Sequence, residues 1–182
     1  MNFRYVSQRH QVLGPNLASA HFIVFRGGAV RFEGGTKWVK KDEDDEYDLP
    51  TRKVPGMEVE AIDASNVDLR YGALKNFVNL EKLKWISFAN NANVDDWFLD
   101  TVCGEMSRLE YLDLSGCKNL THKGLIVLSR LPNLKAVNLQ DASTDTIEFR
   151  LACLSLEEWN PRIEVKGVNH DVPVKQTESV TS

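Results

Sequence analysis

Residues 42–48, read as Asp42-Glu43-Asp44-Asp45-Glu46-Tyr47-Asp48, form the most conspicuous cluster of groups able to do chemistry. Six carboxylates in seven positions are the ligand type that hard cations take. The run lacks the spacing, the central glycine and the terminal glutamate of a helix-loop-helix calcium site. It reads better as a solvated loop, with electrostatic docking to a basic partner as a third reading. Cys117 follows Ser115-Gly116 at the turn after a strand, where a small thiol packs inside stacked repeats, so it reads as a buried thiol rather than a nucleophile. His122, five residues on, falls at a helix start and is expected to face solvent. Ser115 sits in no G-x-S-x-G elbow, and Gly27-Gly28 and Gly34-Gly35 punctuate turns rather than cradle phosphate. Three cysteines without close pairing (Cys103, Cys117, Cys153) suit a reducing compartment or plain burial. No CxxC pair occurs and the four histidines are scattered, which argues against zinc. No catalytic, cofactor or metal residues are assigned. The Asn119-Leu120-Thr121 sequon carries little weight without a secretory signal.

The elements that must position these groups come from a repeat. Residues 83–102 (LKWISFANNANVDDWFLDTV), 109–128 (LEYLDLSGCKNLTHKGLIVL) and 134–143 (LKAVNLQDAS) align, and residues 59–77 (VEAIDASNVDLRYGALKNF) are an earlier copy. Ile86, Leu112 and Val137 correspond, as do Phe88, Leu114 and Leu139. An L-x-x-L-x-L pattern recurring every 24–26 residues is the leucine-rich-repeat signature. Each copy predicts a strand, a turn and a helix. Leu112 and Leu114 alternate with Tyr111, Asp113 and Ser115 in a half-buried strand. Thr121 caps a helix carrying Leu125, Leu128 and Leu131, which Pro132 ends before Leu134 opens the next strand. Asp95 caps one that turns Phe98, Leu99, Val102, Cys103 and Met106 inward. Arg162-Ile163-Glu164-Val165 reads as a last strand after a weak fourth repeat. No unit buries its apolar face alone, so neighbours must stack.

The expected fold is α/β: a short leucine-rich-repeat solenoid of the cysteine-containing type with an N-terminal helix-plus-hairpin cap. In the cap, residues 15–26 predict a helix from Pro15 to Gly27-Gly28. AVRF and TKWV around Glu33-Gly34-Gly35 predict a β-hairpin. The chain divides into a candidate targeting segment (1–14), a cap with the acidic loop (15–58), repeats (59–168) and a disordered tail (169–182). With Leu112 and Leu114 inward, the concave surface carries the row Ala61, Trp85, Tyr111, Ala136. Beside it run Asp63, Ser87, Asp113, Asn138 and then Ser65, Ala89, Ser115, Gln140. Trp85 and Tyr111, flanked by Asp63, Asp113 and Asn138, make the candidate partner-binding site. The competing reading has the tail or the cap folded back over the two aromatics.

Charge bounds the function. Residues 1–32 hold Arg4, Arg9, Arg26 and Arg31 and no acid, leaving 18 bases and 26 acids, net −8, in the other 150 residues. That acidic body argues against nucleic acid, which needs clustered Lys and Arg. The segment MNFRYVSQRHQVL has the composition of a mitochondrial presequence, with a frayed terminus as the plain alternative. No run approaches the 18 or so apolar residues of a membrane span.

The repeats alone also fit F-box-type ubiquitin-ligase substrate adaptors, whose repeats read LDLSGC-x-NLT, although residues 1–58 do not read as an F-box. The flanks narrow the choice. Gly27-Gly28-Ala29-Val30-Arg31-Phe32, Trp38, Val59-Glu60-Ala61-Ile62-Asp63-Ala64, Val94-Asp95-Asp96-Trp97 and Leu112-Asp113-Leu114-Ser115-Gly116-Cys117 together resemble the ATP synthase subunit s-like family. That family is also called the distal membrane-arm assembly component of respiratory complex I. The likeness covers roughly residues 16–168 and departs at the long acid run and the weak fourth repeat. It implies a mitochondrial scaffold or assembly factor on the matrix side of the inner membrane, peripheral to it and without a transmembrane helix. It implies complex I membrane-arm subunits or other assembly factors as partners, and neither catalysis nor cofactor. The related coupling factor B would imply an ATP synthase role instead.

Overall fold

The predicted period-2 alternation appears as six short strands in one sheet, in chain order: β1 (Ala29–Phe32), β2 (Val59–Asp63), β3 (Trp85–Ser87), β4 (Tyr111–Asp113), β5 (Ala136–Asn138) and β6 (Glu164–Lys166). The computed structural model describes residues 5–142 and 146–168. The tail expected at 169–182 lies outside them. β2 to β6 run parallel, and β1 closes the first edge antiparallel to β2. Parallel neighbours need a crossover, and each supplies a helix on the same side of the sheet. These are a 3-10 helix at Tyr71–Phe77, α2 (Asp96–Glu105), α3 (His122–Ile126) running into 3-10 turns at Val127–Arg130, and α4 (Ile147–Trp159). The fold class is mixed α/β.

The register is the one the repeat alignment predicts. Ala61 pairs with Trp85, Trp85 with Tyr111 and Tyr111 with Ala136. Ile62, Ile86, Leu112 and Val137 point to the helices and are fully buried, as are Ala64, Phe88, Leu114 and Leu139 one step on. Asp95 accepts a hydrogen bond from the Phe98 amide (2.9 Å) and Thr121 from that of Lys123 (3.2 Å), so both predicted caps form. Thr146 does the same for Phe149, starting an α4 that the weak fourth repeat did not announce.

The cap differs from expectation in two places. Its helix, α1 (Ser7–Phe25), is two helical stretches across a break at Gly14 (φ 74°, ψ 170°). A residue before proline is pushed out of the α region, and only glycine takes this positive φ without penalty. The part from Pro15 is the predicted helix, and residues 7–13 add a second helical stretch ahead of it. Its C-terminus closes as a Schellman motif, Gly28 N–H to Ile23 O and Gly27 N–H to Val24 O, both 3.0 Å. The second correction is the hairpin. AVRF pairs along its length with β2, while the TKWV arm keeps one antiparallel bridge, Val30 to Val39. Without β1 the edge of β2 would be an unpaired ladder, and Trp38 is engaged elsewhere.

Candidate functional site

On the sheet face away from the helices, Trp85 and Tyr111 occupy adjacent strands at paired positions. Their rings stack with centroids 5.4 Å apart and planes 3° from parallel. Trp38, from the arm after β1, meets Trp85 edge-on at 5.5 Å and 70°. The Arg31 guanidinium lies 5.4 Å over the Trp38 ring. Offset stacks and T-shaped pairs suit the ring quadrupole, and a cation over an indole adds to them. The cap therefore does fold over part of the predicted site, through Trp38, leaving Trp85 and Tyr111 half-buried rather than covered. Burial pushes the Tyr111 hydroxyl above its usual range, and the neighbouring Asp113 charge pushes the same way.

The polar residues beside the aromatics are tied into the backbone. Asp63 accepts from the Ser65 amide (3.0 Å), Asp113 from that of Ser115 (2.9 Å) and Asn138 from that of Gln140 (3.1 Å). Ser87, 1 % exposed, takes the same place in β3 and accepts from the Ala89 amide (3.2 Å). These are the Asx and Ser turns that end a strand by offering its next amide a side-chain acceptor. The Ser87 hydroxyl also donates to the second Asp113 oxygen (3.2 Å) and shares a 2.7 Å hydrogen bond with Ser65. All five proposed residues thus share one face, but Asp63, Asp113 and Asn138 shape its upper rim as turn acceptors.

Among the described residues no acid-base constellation assembles. The three thiols are buried, and burial pushes Cys103 and Cys153 up to about 12 and Cys117 to about 11, well clear of thiolate chemistry. Cys117 spends its S–H on the Phe88 carbonyl (3.3 Å). The acidic loop is folded on itself: Asp42 accepts from the amides of Asp44 (3.0 Å) and Glu46 (2.9 Å), and Lys41 pairs with Asp45 at 2.7 Å. Among the described residues no three His, Cys, Asp or Glu side chains converge as they would around a metal ion. His122 lines an open groove of about 640 Å³ with Asp96, Thr121 and Glu148 and is half-buried rather than solvent-facing.

Sequence reasoning passed over four features. The reading that folds the cap over the aromatics names no cap residue, and Trp38 is the one that reaches Trp85. Asn91 stands one repeat before Cys117, at the place where the repeat pattern takes Asn or Cys. It is 3 % exposed and its amide donates to the carbonyls of Ala64 (2.9 Å) and Phe88 (3.0 Å). Glu60, Lys84, Glu110 and Lys135 form a ladder of alternating charge at the strand starts, with pairs at 3.2 Å (Lys84 to Glu60) and 2.5 Å (Lys135 to Glu110). On the helix side, Trp97, Ile126, Ile147, Leu151 and Leu154 are exposed. The 147-151-154 spacing was the available signal for that stripe.

Over 167 residues, 91 % of its length, this chain is 41 % identical to the Drosophila melanogaster distal membrane arm assembly component 2, of which the match covers 58 %. The chain is homologous to that assembly component. It is more distantly homologous to the mitochondrial ATP synthase subunit s. The human protein is 29 % identical over 136 residues (71 % of this chain, 64 % of the relative), and the mouse protein 28 % over 141 residues (74 % and 66 %). The chain thus spans roughly three-fifths of the length of the curated relatives it matches. No protein-family model matches it. Among the described residues no helix is long and apolar enough to cross a membrane.

Proposed function

We propose that the chain is a non-catalytic scaffold that helps assemble the distal membrane arm of mitochondrial respiratory complex I, from the matrix side of the inner membrane. The observation that carries this reading is the aromatic set on the sheet face. Trp38, Trp85 and Tyr111 are pre-stacked, half-exposed and rimmed by hydrogen-bonded turns, so a partner meets rigid rings at little ordering cost. Rigid aromatics of this kind are what interface anchors are made of. The in-register parallel strands, each followed by its helix, support reading residues 59–168 as a leucine-rich-repeat solenoid, with 15–58 as its cap. The fruit-fly relative's name supports the assembly role, and the mitochondrial relatives support the compartment. The more distant likeness to ATP synthase subunit s favours one alternative, a coupling-factor role.

The test is capture by tagged protein from solubilised mitochondria. Trp85→Ala with Tyr111→Ala is expected to lower recovery of membrane-arm subunits at least tenfold while the far-ultraviolet spectrum and melting curve stay near wild type. Undiminished recovery would place the partner surface elsewhere, and loss of the fold would assign both rings to the core.

A further inference from the structure

The segment 41–53 runs antiparallel along α1. Lys41 sits 5.2 Å over the Phe25 ring at one end, Tyr47 meets His21 edge-on at 5.7 Å in the middle, and the Lys53 stem lies 3.5 Å from where a Gly14 side chain would begin. That path sorts charge by position. The acidic residues 42–48 lie beside the C-terminal half of α1, and the acid-free stretch 49–57, with Arg52 and Lys53, lies beside its N-terminal half. Residues 5–13 hold Arg9 and no acid, and Val6, Arg9, Val12 and Leu13 line one shallow groove with Thr51. Tyr5, Val6, Val12 and Val54 are all exposed there, Val12 by 59 %. Among the described residues Arg9, Arg52 and Lys53 hold no carboxylate. One corner of an otherwise acidic molecule is therefore cationic, without acids and studded with aliphatic side chains.

We propose that this corner, residues 5–13 with 51–54, docks on the surface of an anionic lipid bilayer. An acid-free helical stretch with exposed apolar side chains can lie in the headgroup region, with Arg9 on it and Arg52 and Lys53 beside it held by the negative surface potential and its aliphatics entering the acyl boundary. The acidic loop at the far end of α1 is repelled by the same surface, which fixes the tilt with the corner facing the membrane. Membrane docking is independent of the assembly reading, because lipid alone supplies the ligand.

The experiment is co-sedimentation of the full chain with vesicles of phosphatidylcholine and phosphatidylserine in a two-to-one mixture, beside vesicles of phosphatidylcholine alone. The wild type is expected to pellet with the mixed vesicles and to be released in 1 M salt, where the screening length is about 3 Å. Arg9→Gln, Arg52→Gln and Lys53→Gln together should weaken binding on the order of a hundredfold. Val12→Asp should weaken it as well. Lys135→Gln, outside the corner, should leave it unchanged. Wild-type protein that stays in the supernatant, or a triple variant that pellets like the wild type, overturns the proposal. So does a Val12→Asp variant that loses self-association in analytical ultracentrifugation yet keeps its vesicle binding, since the corner would then belong to a second copy. Vesicle binding that fails while complex I subunits are still captured leaves the assembly reading standing.

Discussion

Asp113 belongs to the predicted partner site by position, and its hydrogen bonds give it a structural task as well. One carboxylate oxygen ends β4 by accepting from the Ser115 amide, and the other accepts from Ser87. Removing both acceptors in Asp113→Ala should cost about 1–2 kcal/mol, read as a lower urea midpoint. Asp113→Asn should stay within about 0.5 kcal/mol, because an amide oxygen can make the same turn. Asn138 already does so in the next strand. A large loss in the asparagine variant would show that the charge, rather than the turn, matters. The thiols offer a second test. Their pKa values rise on folding from 9.0 to about 11 for Cys117 and about 12 for Cys103 and Cys153. The unfolded chain therefore gives up these protons first, so the thiols' contribution to stability is intact below pH 9 and is lost as pH climbs towards 11–12. At pH 8 the native protein should react with a thiol-specific disulfide reagent only after denaturant is added. Rapid labelling of the native protein would contradict the burial.

Between elements, the decisive contacts join one helix start to the next. Asp96, in the first turn of α2, accepts from the Thr121 amide (2.8 Å) and hydroxyl (2.5 Å) at the start of α3. That staple leaves no room beside it, since a side chain on Gly124 would begin 2.3 Å from Asp96 Oδ1 and 3.2 Å from its Cα. Helix propensity alone favours Gly124→Ala by about 1 kcal/mol. Steric crowding is expected to reverse that sign, lowering the melting temperature by several degrees. A stabilised Gly124→Ala variant would mean that the staple yields freely. This scale also separates what the sequence made legible from what it did not. The strand register, the caps at Asp95 and Thr121, and the inward faces of Ile86, Leu112 and Val137 follow from local periodicity, which the chain displays. The pairing of β1 with β2, the reach of Trp38 to Trp85 and the ladder of Glu60, Lys84, Glu110 and Lys135 depend on contacts between positions 24 or more residues apart. Among these, only the ladder left a trace, one charge per repeat at a fixed offset. The turn roles of Asp63 and Asn138 were hidden for another reason: a polar side chain at a strand end looks the same whether it serves a partner or its own backbone.

Across the whole molecule, the charge imbalance resolves into places. The arginines of residues 1–32 are spread over three sites in the described chain: Arg9 at the basic corner, Arg26 at the end of α1 and Arg31 over Trp38. The acid run packs as a closed turn against α1, and the alternating charges of the strand starts neutralise one another at the sheet's edge. A rigid aromatic face lies open on one side and an apolar helix stripe on the other, and among the described residues neither assembles a set of reacting groups. The assembly role is the central claim, and it is most directly tested by native electrophoresis of mitochondria expressing the tagged chain, followed by a denaturing second dimension. The tagged chain should comigrate with partly built complex I intermediates that contain membrane-arm subunits. Comigration with ATP synthase alone, or a signal confined to the cytosol, would contradict the account.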